Sequence, residues 1–255
     1  MGKLLQSLQL ASFNDDNEIL TKAPLFKHLH CEIKYNNMIF FRIDGEWYQI
    51  ENQFIEKLEQ EFKEIVLENT QHNLLSESWG IDKGEDCYNQ KYIGKSSFLV
   101  LHKVLLNGME LCDLLKYDGK TAYLIHVKKG FGNNMRDLTL QIDIAARTLK
   151  EALAARDYDF FGQLYQRLKM KNATTPYAKK VAGQASIISK ESFIKIFMDR
   201  DVVFCLAFLD TAKKERNITN GTEFESSIAK YSIVELYKRL RIQNIPLKLI
   251  QVKQK

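Results

Sequence analysis

The sequence lacks the features of membrane, secreted and cysteine-metal proteins. No stretch approaches the run of about 18 apolar residues that a membrane-spanning helix needs. The cysteines are few and far apart, without a CxxC or CxxH pair among them: Cys31, Cys87, Cys112 and Cys205. This pattern argues against a zinc site and favours the reducing cytoplasm. The Walker loop, the Gly-x-Ser-x-Gly elbow and the His-Glu-x-x-His helix are also missing, which excludes three common enzyme designs.

The composition predicts one globular domain with a mild positive charge. Hydrophobic residues make up 45% of the 255 residues, enough for a substantial core. The 37 Lys and Arg outnumber the 32 Asp and Glu, and a net charge of +5 permits nucleic-acid binding without requiring it. We divide the chain into a loosely ordered N-terminal segment, residues 1–24, and a single α/β domain, residues 25–255. That domain comprises N-terminal strands and a helix at 25–70 and a core at 78–255.

Turn dipeptides and apolar periodicity predict the elements before the core. Strand-like alternation over residues 28–50 is broken at Asn36-Asn37 and Asp44-Gly45, which predicts a small antiparallel sheet. Apolar residues at helical spacing from Phe54 to Val66 predict a packing helix after that sheet.

Two further turn dipeptides, Asn107-Gly108 and Asp118-Gly119, predict the centre of the fold. They separate three apolar runs, so we expect a three-strand antiparallel meander. Its strands are predicted over Ser97–Leu106, Met109–Lys116 and Thr121–Lys128. A helix from about Asn134 to Ala155 should follow and pack on the sheet.

The last third of the chain combines a basic segment with a strand-helix-strand unit. Residues 166–192 carry many Lys and Arg, broken up by Thr, Pro and Gly, and predict a mobile or ligand-facing loop region. A buried strand at 201–210, an amphipathic helix at Glu223–Arg241 and a strand at Pro246–Val252 follow. Their spacing is typical of a right-handed parallel crossover.

Counting across the predicted meander brings chemically useful side chains to one face. With Asp118-Gly119 as a two-residue loop, Asp113 shares a face with His126 and Lys128, whereas Glu110 points to the opposite face. The same count through the preceding turn places His102 opposite Asp113. A carboxylate, imidazole groups and an ammonium group are therefore expected to cluster on an otherwise aliphatic sheet.

Such a cluster suits metal-dependent cleavage of phosphodiesters. An acid on one strand and, after a hairpin, acid-x-Lys on the next is the pattern of PD-(D/E)xK nucleases. The chain resembles it, with Asp113 as the first acid and His126-Val127-Lys128 as an altered second motif. A preceding helix supplies a further acid in such nucleases, and Glu85 or Asp86 stands at that place here.

The resemblance implies a role for each of these residues. Asp113, Glu85 and His126 would hold Mg²⁺ or Mn²⁺, and Lys128 would activate water. Gln141, early in the following helix, would contact the substrate or a metal-bound water. Histidine in place of the second acid favours a metal that accepts imidazole, such as Mn²⁺, with a site that binds no metal as the alternative.

Ordinary structural roles are the alternative for each residue. Asp113 and Lys128 could form a surface ion pair, and His102 could be a packed sheet histidine. Glu85 could cap a helix or pair locally. The basic segment becomes a nucleic-acid track only if it folds beside the meander. A small phosphorylated ligand in place of a polymer is a further alternative.

The same residues resemble a sporadically distributed, largely uncharacterised bacterial family found among mobile-element and defence genes. The similarity covers most of residues 25–250. It rests on Trp79, Glu85-Asp86-x-Tyr88-Asn89, Glu110-x-x-Asp113-Leu-Leu, Leu124-Ile-His126-Val-Lys128, and a helix with Leu138 and Gln141. The His-x-Lys form is usual in that family, so the altered second motif is not peculiar to this chain.

Together these observations predict an α/β fold with a restriction-endonuclease-like core. It would contain the antiparallel meander, flanking helices and a C-terminal strand-helix-strand, plus a small N-terminal β segment. The expected function is that of a cytoplasmic metal-dependent nuclease in mobile-element or phage defence. The alternative is a catalytically inactive nuclease-like module that binds nucleic acid or a partner protein. The expected partner is DNA or RNA, with a second copy of the chain or another protein as further candidates and no membrane.

Overall fold

The structure, a computed structural model, describes residues 7–13, 19–29, 31–36, 38–43, 45–169, 174–214 and 216–255. Within these ranges it is a mixed α/β fold with one five-stranded sheet, three smaller antiparallel sheets and seven α-helices. The strands are β1 (Gln9–Phe13), β2 (Ile19–Pro24), β3 (Cys31–Tyr35), β4 (Met38–Ile43), β5 (Glu46–Ile50), β6 (Phe98–Val100), β7 (Leu105–Leu106), β8 (Met109–Glu110), β9 (Leu114–Tyr117), β10 (Thr121–Lys129), β11 (Asp201–Leu209) and β12 (Leu247–Val252). The helices are α1 (Asn52–Asn69), α2 (Glu85–Asn89), α3 (Asn134–Ala154), α4 (Tyr158–Leu168), α5 (Pro176–Gly183), α6 (Lys190–Met198) and α7 (Ser227–Ile242).

The five-stranded sheet positions the rest of the molecule. Its order is β12-β11-β10-β9-β6. Strands β10, β11 and β12 run parallel, and β9 pairs antiparallel with both β10 and β6. Parallel pairing of β11 with β12 around α7 confirms the predicted strand-helix-strand unit. The antiparallel neighbours β6, β9 and β10 give the order predicted for the meander.

The first two strands of the meander are interrupted and shorter than predicted, and the register of the second hairpin differs. The first is interrupted after Val100, and β7 leaves the main sheet to pair with β8 through the confirmed Asn107-Gly108 turn, where both φ angles are positive. The predicted two-residue loop at the second turn is wrong by two residues, because Tyr117 pairs with Ala122 and four residues lie between them. Neither Asp118 nor Gly119 has a positive φ. The Asp118 carboxylate instead accepts two backbone N–H groups of the turn, which stabilises the longer loop.

Three helices form one packed layer. Helix α7 packs against both α1 and α3, each of which buries an apolar stripe at helical spacing. In α1 the buried residues are Leu58, Phe62, Ile65 and Val66. The predicted helices at 54–66, 134–155 and 223–241 are confirmed within a few residues. No helix in the described ranges has the length and apolar character that crossing a membrane requires.

The basic segment at 166–192 is helical, and the predicted loop is wrong there. Its described residues form the end of α4, all of α5 and the start of α6. Side-chain caps begin these three helices: Asp157, Thr175 and Ser189 each accept a backbone N–H of the first turn. Stacked rings of Phe161 and Phe197, 5.0 Å apart, join α4 to α6. Residues 170–173 lie outside the described residues.

The N-terminal β segment is also present. Strands β3, β4 and β5 form the predicted antiparallel sheet. Asn36 and Gly45 adopt the positive φ of its turns, whereas Asn37 and Asp44 lie outside the described residues. Within the segment 1–24, strands β1 and β2 form a two-stranded ladder that the sequence analysis did not predict.

Both edges of the five-stranded sheet carry additional hydrogen bonds. At one edge, the Gln184 side chain accepts the N–H of Val100 (2.8 Å) and donates to its carbonyl (2.9 Å). At the other edge, Gln71 N–H donates to the Leu249 carbonyl and Trp79 N–H donates to the Lys253 carbonyl, each at 2.8 Å. Side-chain and loop groups therefore take the place of further strands.

Candidate functional site

A polar cluster lies where the meander departs from a regular sheet. After β6 the chain turns at Leu101 and His102, whose N–H groups both donate to the Asp113 carbonyl (2.8 and 3.0 Å). Asp113 N–H in turn donates to the Ile125 carbonyl (3.0 Å), just before β9 begins. These backbone bonds place His102 and Asp113 side by side.

His102 is the centre of this cluster. Its Nδ1 contacts one carboxylate oxygen of Asp113 and lies 3.1 Å from Glu110 Oε1, while its Nε2 lies 2.9 Å from Asp86 Oδ1. Lys103 adds a second cation, with Nζ 2.7 Å from Asp86 Oδ2 and its backbone N–H 2.6 Å from Glu110 Oε1. One imidazole is thus held by three carboxylates. We call these five residues the acidic-imidazole cluster.

The charges of the cluster shift its titration strongly. Burial alone would lower the pKa of His102, but its hydrogen bonds to Asp113 and Glu110, with their charges, outweigh burial and raise the pKa to about 10. Burial, helped by the charge of Asp113, raises the pKa of Glu110 above its usual value. In this structure His102 is therefore an imidazolium that donates from both ring nitrogens at neutral pH.

A second ion pair adjoins the cluster through consecutive residues of α2. The second carboxylate oxygen of Asp113 accepts the N–H of Val127 (2.7 Å). Lys128 is the next residue of β10. Lys128 Nζ lies 3.4 Å from Glu85 Oε1, and the next residue, Asp86, contacts His102. Glu85 and Asp86 thus connect Lys128 to the acidic-imidazole cluster.

The structure places the three predicted metal ligands, Asp113, Glu85 and His126, in three different surroundings. Asp113 lies in the cluster and Glu85 pairs with Lys128, but His126 is buried in the sheet and stacks on Phe204 with ring centroids 6.3 Å apart. Burial lowers the pKa of His126, against the opposing charge of Asp113. Gln141 is exposed on α3 and makes no side-chain hydrogen bond within the described residues.

The ligand-type side chains that do come together form a different set. One ligand atom from each of His102, Glu110 and Asp113 lies within 4.8 Å of the others. A nitrogen and carboxylate oxygens suit Mn²⁺, and carboxylates suit Mg²⁺, so the donor set fits a divalent cation. In the described part of the chain, Asp113, Glu85 and His126 do not form such a group.

The sequence predicted only part of this arrangement. Glu110 was predicted on the opposite face from Asp113, which is wrong because residues 111–113 are not in a strand and the alternation is lost there. His102 was placed opposite Asp113, and the structure brings the two together. Tyr177 was also missed; it comes from α5, and no local signal in the sequence ties it to the meander.

Tyr177 belongs to the basic segment and packs on the cluster. Its ring meets that of His102 edge-on, with centroids 5.9 Å apart, and Lys103 Nζ lies 5.6 Å from its centre. Burial, together with the charges of Asp86, Asp113 and Glu110, raises the pKa of its hydroxyl. The basic segment therefore does fold beside the meander.

Several buried polar groups near these elements have no hydrogen-bond partner. Within the described residues, they are the Tyr177 hydroxyl, Nε2 of His126 and both amide atoms of Asn89. Leaving such a group unpaired costs about 1–3 kcal/mol, so stability alone does not explain them.

Comparison with known proteins identifies a family but no activity. A model described as a family of unknown function (DUF6119) matches residues 3–251. Neither the curated proteins nor the solved structures contain a match to the chain. An uncharacterised family was expected from the sequence; its association with mobile elements and defence stays a prediction.

Proposed function

The chain belongs to the DUF6119 family, whose description assigns no function, and we propose from its own side chains that it is a metal-dependent hydrolase of nucleic-acid phosphodiesters. One observation carries the proposal: the three ligand atoms of His102, Glu110 and Asp113 lie within 4.8 Å, and Glu85-Asp86 connect them to Lys128. The proposal covers the chemistry and the substrate class, with nuclease activity in defence as the expected setting.

The metal ligands in this proposal are Asp113, Glu110 and His102. Mg²⁺ or Mn²⁺ bound there would polarise a phosphodiester and lower the pKa of water. His102 would have to release its shared proton to act as a ligand, whereas Asp113 and Glu110 provide oxygen donors directly. Lys128, held by Glu85, would orient the attacking water and offset charge on the phosphate. His126 would stay a buried neighbour of Asp113.

The arrangement of elements supports a nuclease-like core. An acid from helix α2, an acid just before β9 and a lysine on β10 follow one another in the same order as in the predicted PD-(D/E)xK pattern. Strand β11 then lies parallel to β10 after α3. The cluster is open on one side, since the Asp86 and Lys103 side chains are 42% and 58% exposed.

An inactive module is the second candidate, and one observation favours it. The carboxylates of the cluster already bind two cations, His102 and Lys103, so their charge is partly balanced without a metal. A protein of this kind would bind nucleic acid or a partner protein through the same surface without cleaving it.

Cleavage assays distinguish the two candidates. Purified protein would be incubated with supercoiled plasmid, single-stranded DNA and RNA, each with Mg²⁺, Mn²⁺ or EDTA. We expect metal-dependent products that Asp113→Asn and Lys128→Met reduce by at least about 100-fold, the scale of losing a catalytic group. Lys248→Met is the matched control, because Lys248 is a half-buried lysine on β12 of the same sheet.

Metal binding provides an independent measurement. Titration of Mn²⁺ by calorimetry should give one site that Asp113→Asn and Glu110→Gln abolish and Lys248→Met retains. Binding of nucleic acid without products on every substrate, in Mg²⁺ and in Mn²⁺, would reject hydrolysis in favour of the inactive module.

A further inference from the structure

Tyr177 lies against the acidic-imidazole cluster with a hydroxyl that has no partner. Its ring contacts His102 edge-on and lies under Lys103 Nζ. The hydroxyl is shielded from solvent, and no hydrogen bond to it occurs within the described residues. A phenol donates one hydrogen bond and accepts others, so this position is costly unless a ligand supplies the missing partner.

The surroundings of Tyr177 indicate the charge of that ligand. Helix α5 carries the exposed Lys179 and Lys180, and Lys180 Nζ reaches to 3.5 Å from Gln90 Oε1, beyond the end of α2. Lys103 lies between α5 and α2 through its contacts with Tyr177 and Asp86. Cations therefore border the cluster on the side where Tyr177 covers it. An anionic strand crossing from α5 to α2 would meet them in succession.

We propose that α5 forms the substrate-binding wall of the site: when a nucleic-acid strand binds, α5 shifts enough to expose the Tyr177 hydroxyl, which donates to a phosphate oxygen, and Lys103 and Lys180 bind neighbouring phosphates. This inference rests on the proposed function for the identity of the substrate. Hydrogen bonds of this kind often form only in the complex, since catalytic contacts are long or absent before the substrate binds. Tyr177 is a substrate-binding residue beside the cluster, and the metal ligands lie within the cluster.

Another tyrosine provides a matched control. The Tyr165 hydroxyl, on α4, lies 3.1 and 2.8 Å from the carbonyls of Ala185 and Ile188 and shares its one proton between them, so it has a structural role. Replacing either tyrosine by phenylalanine removes one oxygen and keeps the ring. The two variants are expected to behave oppositely, because one hydroxyl is paired within the fold and the other is not.

The experiment measures binding and unfolding separately for the full chain. Fluorescence anisotropy with a labelled single-stranded oligonucleotide, in Ca²⁺ or EDTA to prevent cleavage, should show roughly tenfold weaker binding for Tyr177→Phe, the scale of one hydrogen bond to a charged group. Lys180→Gln should weaken binding and reduce its salt dependence. Tyr177→Phe should unfold at the same temperature as the wild type or higher. Tyr165→Phe should bind normally and unfold ~2–4 °C lower.

Two results for the Tyr177→Phe protein would overturn the inference. One is a Tyr177→Phe protein that binds the oligonucleotide as tightly as the wild type; the other is one that loses thermal stability as Tyr165→Phe does. Failure of the wild-type protein to bind any nucleic acid would overturn it as well. A wild type that binds through Tyr177 but forms no products would keep this inference and reject the proposed hydrolysis, so the two failures are distinguishable.

Discussion

Protonation of His102 should make the stability of this protein fall as the pH rises above neutral. The pKa of His102 is raised from 6.5 to about 10 by its carboxylate partners, and its side chain is only 9% exposed. The folded state therefore keeps a proton that the unfolded state releases above pH 6.5. The resulting stability is fully present below pH 6.5 and is lost progressively as the pH rises toward 10.

The size of this effect follows from the same values. At about 1.4 kcal/mol for each tenfold change in proton affinity, the difference between 6.5 and about 10 amounts to an upper limit of ~5 kcal/mol. Between those pH values the free energy of unfolding should fall by up to about 1.4 kcal/mol per pH unit. This would be a large fraction of the stability of an ordinary domain.

Urea denaturation in EDTA, at pH 6, 7, 8 and 9.5, measures the slope. The wild type should lose stability steadily over this range, and His102→Gln should lose much less, because glutamine does not titrate. Exposed His72 provides the control, and His72→Gln should follow the wild type. Parallel loss of stability in the wild type and His102→Gln would refute the assignment of an imidazolium to the cluster.

Three further predictions concern buried polar groups, and each is checked by urea denaturation. Asn89→Leu should raise the free energy of unfolding by ~1 kcal/mol, because both amide atoms of Asn89 are buried without partners. Gln184→Leu should lower it by ~2–3 kcal/mol, since it leaves the two backbone groups of Val100 unpaired; equal effects of these two changes would contradict the hydrogen-bond assignments. Glu59→Gln should lower the free energy of unfolding by ~2–3 kcal/mol, because it leaves the Lys230 ammonium, whose side chain is 2% exposed, without a countercharge. Lys230→Met should lower it by less than ~1 kcal/mol, because the Glu59 side chain is 34% exposed and can be hydrated. The reverse order would show that Lys230 is not buried as described.

The pattern of apolar residues in the sequence was enough to predict the elements that are buried along one continuous stripe or run. Helices α1 and α3 were found in this way, because their burial repeats with the period of a helix, and strand β11 was found from its continuous apolar run, which is buried from Phe204 to Leu209. The helices of the basic segment were not predicted, because the Thr, Pro and Gly residues that break up its Lys and Arg are typical of loops. Their caps, Thr175 with Pro176 and Ser189, were the available signals.

The candidate site was only partly predictable, for reasons of strand register. The turn at Asp118-Gly119 is two residues longer than expected, and a shift of two residues keeps every side chain on its predicted face. The break at residues 111–113 does change faces, and it brings Glu110 to His102. A pattern of alternation contains no information about such a break. Tyr177 depends on the packing of a helix distant in the sequence, which periodicity does not determine.

The hydrogen bonds at the two outer strands of the main sheet limit how this protein can associate with others. An incoming strand at β6 would have to displace the Gln184 amide, and one at β12 would have to displace the backbone at Gln71 and Trp79. Addition of a foreign strand, the commonest route to β-mediated assembly and aggregation, is therefore disfavoured here. Complexes of this protein should therefore leave the five-stranded sheet unextended.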